Sequence, residues 1–446
     1  MTVTICWFRR DLRLADHRAL SWAAGEGEVV ALFVDDPVFD RAGAPRRAFL
    51  AASLAELDRS MDGALVVRRG DPRTVVAAVA AECAARVVVA SEDFGPYGTR
   101  RDAAVAARLA ADGVELRLLD RPYAVAPGSV RKDDDTPYSV FTPFSRVWQR
   151  IGWETPLGAA QVQWRRLASD GLPSAPTTDS RLPPAGEAAA HERWERFADE
   201  ELDRYAEQRN QPGIEGTSGL SPYLRWGALH PRQLLARLGD VDGHRVFRSE
   251  LAWRDFYADV LFRRPETAWR NLQPKMDAMQ LDTDERARQR FAAWQAGRTG
   301  YPIVDAGMRQ LLATGWMHNR VRMIVASFLV KDLHLPWQWG ARHFMDHLVD
   351  GDLASNSHGW QWTAGTGTDA APYFRIFNPV TQAAQYDPDG RYLRAWLPEL
   401  AQVGGKELFA PWTSKRGLPL GVEPPLVDHA KERDEALRRY SSVSGQ

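Results

Sequence analysis

Five short apolar runs punctuate the first third of the chain: Val3–Phe8, Val29–Val34, Ala64–Val67, Arg86–Ala90 and Val114–Leu119. Ala-rich amphipathic segments, such as Arg46–Ser60 and Arg100–Ala111, lie between them. A chain that returns through a helix begins its next strand from the same end, so such strands pair in parallel. The pattern predicts an α/β fold, a doubly wound parallel sheet. No GxGxxG follows the first run, so an ordinary dinucleotide-binding fold is not implied.

Residues 121–186 lose the alternation. Pro122, Pro127, Pro137, Pro143, Pro156, Pro173, Pro176, Pro183 and Pro184 interrupt any long element there. This stretch reads as a connection lying over two domains and ordered by packing. From Gly186 to about Pro424 the periodicity turns helical, with helices predicted over His191–Gln208, Pro231–Leu238, Arg248–Phe262, Ala287–Gln295, Ile303–Thr314 and Asn319–Leu333. Asp428–Gln446 reads as a charged helix with a frayed end. A length of 446 residues exceeds one ordinary core. The expected division is an α/β domain over 1–120, a linker over 121–186 and an all-helical domain over 187–446.

Hydrophobic residues at 44% and charged residues at 26% are those of a globular, water-soluble protein. No apolar run is long enough to span a bilayer, and MTVTICWFRRDLR lacks a signal-peptide core. Cys6 and Cys83 fall inside apolar elements and read as buried free thiols, which points to a reducing cytoplasm. A net charge of −1 neither supports nor excludes a nucleic-acid partner, but Arg is dense between Arg204 and Arg322. Metal chemistry finds no CxxC pair or HExxH, and there is no GxSxG nucleophile elbow.

The chemistry concentrates in the helical half. Residues 350–379, DGDLASNSHGWQWTAGTGTDAAPYFRIFNP, crowd Asp, Asn, His and Trp where a core helix would keep apolar spacing. Buried polar groups must be paired, so this composition suggests a wall around a large, polar, planar ligand. EGTSGLSP, residues 215–222, sets three hydroxyls and two glycines ahead of a helix start, fit either to cap it or to hold an anion. In RSELAWRDFYADVL, Glu250 and Trp253 share a helix face, as Asn319 and Met323 do in GWMHNRVRMIVASFLVKD. His318, one residue off that face, reads as structural.

These motifs, with the opening CWFRRDLRLADH, resemble the photolyase/cryptochrome family from Thr4 to about Leu400. The likeness is greatest to its class I cyclobutane pyrimidine dimer photolyases of actinobacterial type. It implies an α/β antenna domain, a linker and a helical domain binding FAD non-covalently, folded into a U and active as the reduced anion. Tyr205, Thr217, Ser218, Leu220 and Ser221 match FAD-contacting positions, mostly at the phosphates. Trp253, Arg322, Asp350, Asp352 and Asn356 match the rest of the cofactor wall, Arg322 pairing with Asp350 and Asn356 facing flavin N5. The matched catalytic residues are Glu250, Asn319, Met323 and Asn356; Glu250 would hydrogen-bond a flipped dimer on which Trp253 and Trp362 stack. Arg209, Arg320 and Arg375 match contacts to DNA.

The resemblance also implies an electron relay through Trp360 and Trp337, whose usual third tryptophan is replaced by Asp284. It implies an antenna of 8-hydroxy-5-deazariboflavin rather than methenyltetrahydrofolate, or an empty antenna site. Gly98 stands where folate binders carry Glu, and Arg10, Phe33, Asp35 and Arg101 are the pocket candidates. The match departs at Ser357 and His358, where Asn-Gly is common; no chemistry is assigned to His358. UV-damaged DNA is the implied partner of a monomer in the bacterial cytoplasm, nucleoid-associated when bound, with no membrane and no obligate protein partner. Alternatives are a (6-4) photolyase, opposed by Asn319 and Met323, and a cryptochrome-like sensor, opposed by Asn356 and the lesion pocket. A flavin-free nucleic-acid-binding protein is the third.

Overall fold

The structure is a computed structural model that describes residues 2–368 and 375–444. Its first part is a parallel sheet of β1 (Thr2–Phe8), β2 (Gly27–Asp35), β3 (Leu65–Arg69), β4 (Val87–Ser91) and β5 (Glu115–Asp120). Helices α1 (Arg18–Glu26), α2 (Ala44–Ser60), α3 (Pro72–Glu82) and α4 (Pro96–Ala111) make the crossovers. The strand order β3-β2-β1-β4-β5 reverses direction between β1 and β4. Residues Ile5–Phe8 and Val29–Leu32 are buried on both faces, which is why these strands read as unbroken apolar runs.

The connecting stretch holds more structure than its prolines suggest. Helix α5 (Phe141–Ile151) carries Pro143 as its third residue, inside the first turn, where no helical hydrogen bond needs its missing N–H. Strand β6 (Gln163–Trp164) adds in parallel to the start of β2. Two residues are too few to give a period.

The helical part begins with α6 (Glu187–Glu200), α7 (Tyr205–Gln208), α8 (Ser221–Trp226), α9 (Pro231–Leu235) and α10 (Asp242–Arg263). It continues through α11 (Glu285–Gln295), α12 (Pro302–Thr314), α13 (Asn319–Ser327), α14 (Trp337–His347) and α15 (Leu353–Ala364), then α16 (Pro379–Tyr386), α17 (Arg391–Trp396) and α18 (His429–Ser444). Two expected helices are broken. His191–Gln208 divides at a 3-10 turn, Leu202–Arg204, and Asn319–Leu333 passes into a π-helical turn, Phe328–Asp332, within which Lys331 donates to the carbonyl of Arg375. Residues 369–374 of the 350–379 stretch, and the last two of the predicted tail helix, lie outside the described residues.

One hydrophobic core runs from the sheet into the helices, joining Phe8, Phe49, Trp148, Trp194 and Phe256. A second, around Trp294, Phe344 and Trp360, belongs to the helical part. A buried ionic cluster ties the parts together. Arg232 of α9 places Nε 2.8 Å from both oxygens of Asp16 and two nitrogens 3.0 Å from Asp120, which Arg13 also approaches at 3.2 Å. Burial alone would raise Asp120, but Arg13, Arg232 and His230 hold it well below the usual carboxylate range. Both cysteines are free and buried. No helix among the described residues is long and apolar enough to cross a membrane, and no three potential metal ligands cluster.

Candidate active site

Helices α10, α13 and α15 and the Ser218–Arg225 segment enclose a cavity of about 510 Å³, the size of a small-molecule site. Helical spacing puts Glu250 and Trp253 of α10 on its wall, and Arg322 and Met323 of α13 join Asn319 there. The 350–379 stretch is helical after all over α15. Asp352 caps that helix by accepting from the Ser355 N–H at 3.1 Å, and Asn356, Trp360 and Trp362 face the cavity. The helix is not amphipathic in the ordinary sense because its polar face meets the cavity rather than water.

Arg322 donates to Asp350 at 2.8 Å and to the Met317 carbonyl at 2.8 Å. The other Asp350 oxygen is buried with no hydrogen-bond partner among the described residues. The same is true of one Arg225 nitrogen, although Arg225 Nε donates to the Gly351 carbonyl at 2.9 Å. Burial, and after it the repulsion of Arg10, pushes the Arg225 guanidinium down to about 9. An orphaned acceptor and an orphaned donor on one wall are costly unless a ligand satisfies them. The Asn356 amide donates to the Ala341 carbonyl at 2.9 Å, which leaves its oxygen as the acceptor for a ligand N–H. Five arginines against three carboxylates line the cavity, a balance that suits an anionic guest. This donor and acceptor set fits FAD.

The phosphate candidates divide. Ser218 and Ser221 line the cavity, and Ser221 Oγ accepts from Trp316 Nε1 at 3.3 Å. Thr217 lines a second cavity behind the loop, and the Leu220 side chain is buried, which leaves its backbone as the contacting group. No side chain caps α8, and Pro222 in its first turn has no N–H, so the groups this end offers an anion come from Ser221 and the loop before it. Tyr205 is also on the main wall.

Several expected residues have partners that the sequence did not suggest. Arg209 pairs with Glu250 at 2.6 Å, an engagement inside the cavity rather than out on a phosphate. Arg320 lines the cavity edge, donates to Asn210 at 2.8 Å and lies over Tyr386, whereas Arg375 is exposed. Arg10 reaches across from the sheet domain to Asp352 at 2.8 Å. That placement joins it to Asp352 on the wall of this cavity, while another of its nitrogens lies 3.9 Å from Asp93, the carboxylate that Arg101 also approaches. Arg101 pairs with Asp93 and Asp102, Asp35 pairs with Arg69, and Phe33 is buried in β2. A Cβ at Gly98 would lie 2.2 Å from the Asp93 carboxyl, so a side chain there would have to displace Asp93.

Trp360 lies on the cavity wall, and Gly340 packs so close that a Cβ there would sit 2.1 Å from its indole. Trp337 is buried, its N–H donating to Asn271. Asp284, in the place of a third tryptophan, caps α11 by accepting from the Ala287 N–H at 2.8 Å. His318 is structural, as its offset suggests: it caps α13 through the Arg320 N–H at 3.1 Å. The sequence reading missed Arg225, Arg254 and Tyr257 on the wall. Arg225 lies four residues after Ser221, Arg254 four after Glu250 and Tyr257 four after Trp253, so helical spacing from the marked residues held the signal.

A family profile described as DNA photolyase matches residues 4–161, and one described as the FAD binding domain of DNA photolyase matches 247–442. The deoxyribodipyrimidine photo-lyase of Streptomyces griseus is 40% identical over 468 residues, covering 100% of both chains. A bacterial class III photolyase from Agrobacterium tumefaciens superposes with a TM-score of 0.93 at 35% identity, over 100% of this chain and 98% of that one. An archaeal photolyase from Sulfolobus tokodaii, solved with two FAD molecules, gives 0.87 at 28% identity over 99% and 100%.

Proposed function

Because this chain belongs to the DNA photolyase family, we propose that its cavity holds FAD and a pyrimidine dimer turned out of DNA against each other. The activity is light-dependent repair of cyclobutane pyrimidine dimers, a carbon–carbon lyase reaction on DNA. The observation that carries this reading is the meeting of two sets of residues on one cavity: Asp350, Asp352, Asn356 and Trp360 with Glu250, Trp253, Asn319 and Met323.

When bound and reduced, FAD supplies the blue-light absorption and the electron that opens the cyclobutane ring. The protein's part is position and electrostatics. The orphaned oxygen of Asp350 would accept an N–H of the ring system, and Asn356 would offer a second acceptor. Ser218, Ser221 and the backbone of the loop before α8 would hold the phosphates, with Thr217, Leu220 and Tyr205 completing that end. Glu250 and Asn319 hold the carbonyl edge of the dimer and stabilise negative charge as it develops there. Arg209 pre-orients Glu250. Trp253 and Trp362 supply the stacking surfaces that an extruded base needs, and Met323 fills the apolar side. Arg320 and Arg375 meet the DNA backbone. Trp360 and Trp337 would form the inner part of an electron relay to the flavin.

The antenna proposed is 8-hydroxy-5-deazariboflavin near Arg10, Phe33, Asp35 and Arg101; a methenyl-folate absorbance band in the purified protein would overturn it. The enzyme works as a cytoplasmic monomer on UV-damaged DNA, with its sheet domain over 1–120, linker over 121–186 and helical domain over 187–446. The test is loss of dimers from UV-irradiated oligo(dT) under blue light, with dark and flavin-free controls. Repair in the dark, or none in the light by reduced, FAD-loaded protein, rejects the reading.

A further inference from the structure

Against the cavity wall stands a file of four rings drawn from three distant parts of the chain. Phe141, the first residue of α5 in the connecting stretch, lies face to face with Trp253, centroids 3.8 Å apart and planes 9° from parallel. Trp253 meets Tyr257, one helical turn on, at 5.3 Å and 48°. Tyr257 stacks on His358 of α15 at 5.8 Å and 23°. Trp253 and Tyr257 line the cavity; Phe141 and His358 are buried outside it.

Phe141 also packs edge-on to Phe256 within the main core, at 5.9 Å and 65°, whereas His358 does little else. The nearest hydrogen-bonding group to His358 is Thr267, 3.4 Å from Nε2, and Nδ1 has no partner among the described residues. Burial lowers this imidazole to about 4, so at neutral pH it is an uncharged ring. A buried polar atom without a partner is unfavourable, and contact with Tyr257 is what the ring gains in return. With one face of Trp253 covered by Phe141, only the other face and an edge remain for the cavity.

We propose that Phe141 and His358 are positioning residues for lesion recognition, clamping Trp253 and Tyr257 from both ends so that Trp253 offers a fixed surface to the extruded base. A stacking surface held in place before binding loses less side-chain freedom when the base arrives. The connecting stretch thereby becomes part of the substrate site. This rests on the reading of Trp253 as the surface on which that base stacks.

The test uses the full-length, FAD-loaded protein. It measures dark dissociation constants for an oligo(dT) with one cyclobutane dimer and for the undamaged strand, and repair per flash in the saturated complex. Phe141→Leu and His358→Ala should each raise the constant for the damaged strand about three- to tenfold, the scale of a lost aromatic pair. Affinity for the undamaged strand, flash repair and FAD content should not change. Phe141→Tyr and His358→Phe, which keep a ring, should stay within about twofold of wild type. Unchanged affinity in both ring-deleted variants overturns the clamp. So does a loss shared by the ring-deleted and ring-keeping variants together with falling FAD content, which marks general support of the fold. His358→Ala decides alone if Phe141→Leu does not fold. Trp253→Leu separates the premises: no effect there removes the stacking reading and the clamp with it, whereas an effect there without one in Phe141→Leu and His358→Ala removes the clamp only.

Discussion

On the proposed reading, single side chains divide between shaping the chemistry inside the cavity and holding the nucleic acid outside it. Glu250 faces the cavity and is fixed by Arg209 at 2.6 Å, whereas Arg375 is exposed. A charge-assisted hydrogen bond to a buried group is worth about 1.5–3 kcal/mol, so Glu250→Ala should lower repair roughly ten- to hundredfold while changing affinity for intact duplex little. Arg375→Ala should weaken damaged and intact duplex alike and reduce the salt slope by about one unit. Titrations of both strands at several salt concentrations, beside repair rates, check this; equal effects of the two variants on both measurements would dissolve the division. Residue pairs within one helix were legible beforehand, because Glu250 with Trp253 and Asn319 with Met323 need only the helical period. Their partners were not. Arg209 is 41 residues from Glu250 and Arg10 is 342 from Asp352, and no local pattern encodes such a meeting.

At the scale of elements, the parallel strands were readable because burial on both faces leaves continuous apolar runs. Helix α5 was not, since Pro143 is a breaker in the interior of a helix and harmless in its first turn. The π-helical turn after α13 has no composition signal at all. The helices α11, α14 and α15 gather the aromatic rings of the second core: Trp360 contacts Trp294 at 6.1 Å, and Trp294 stacks on Phe291 at 5.7 Å. Asp284, where a further indole was sought, spends its side chain capping α11. Trp360→Phe should therefore abolish photoreduction of oxidised flavin yet leave repair by chemically reduced enzyme nearly intact. Steady illumination with an external reductant measures the first and dimer loss the second. Photoreduction at the wild-type rate in that variant would take the relay away from Trp360 altogether.

The whole molecule depends on the sheet domain and the helical domain being locked, since Arg10 of one reaches the cavity wall of the other. The lock is the buried set of Arg13, Asp16, Asp120 and Arg232. Removing one member strands the others, so Asp120→Asn should lower the free energy of unfolding at neutral pH by roughly 3–5 kcal/mol. The pKa of Asp120 is depressed in the fold, so its contribution is complete above the unfolded carboxylate pKa of about 3.9 and is lost as pH falls through the folded value. The deficit of the variant in urea unfolding should then be constant above about pH 4 and shrink below it; a deficit that instead disappears on raising the pH would assign the lock to another group. On the proposed reading, what this lock preserves is one cavity that takes a flavin and a flipped dimer together. Fluorescence of the reduced, FAD-loaded protein tests that contact most directly, titrated in weak exciting light with dimer-containing or undamaged oligo(dT). The account predicts quenching in proportion to damaged strand bound, none with the undamaged strand, and less quenching in Glu250→Ala at saturation. Saturated binding of the damaged strand with undiminished fluorescence would contradict it.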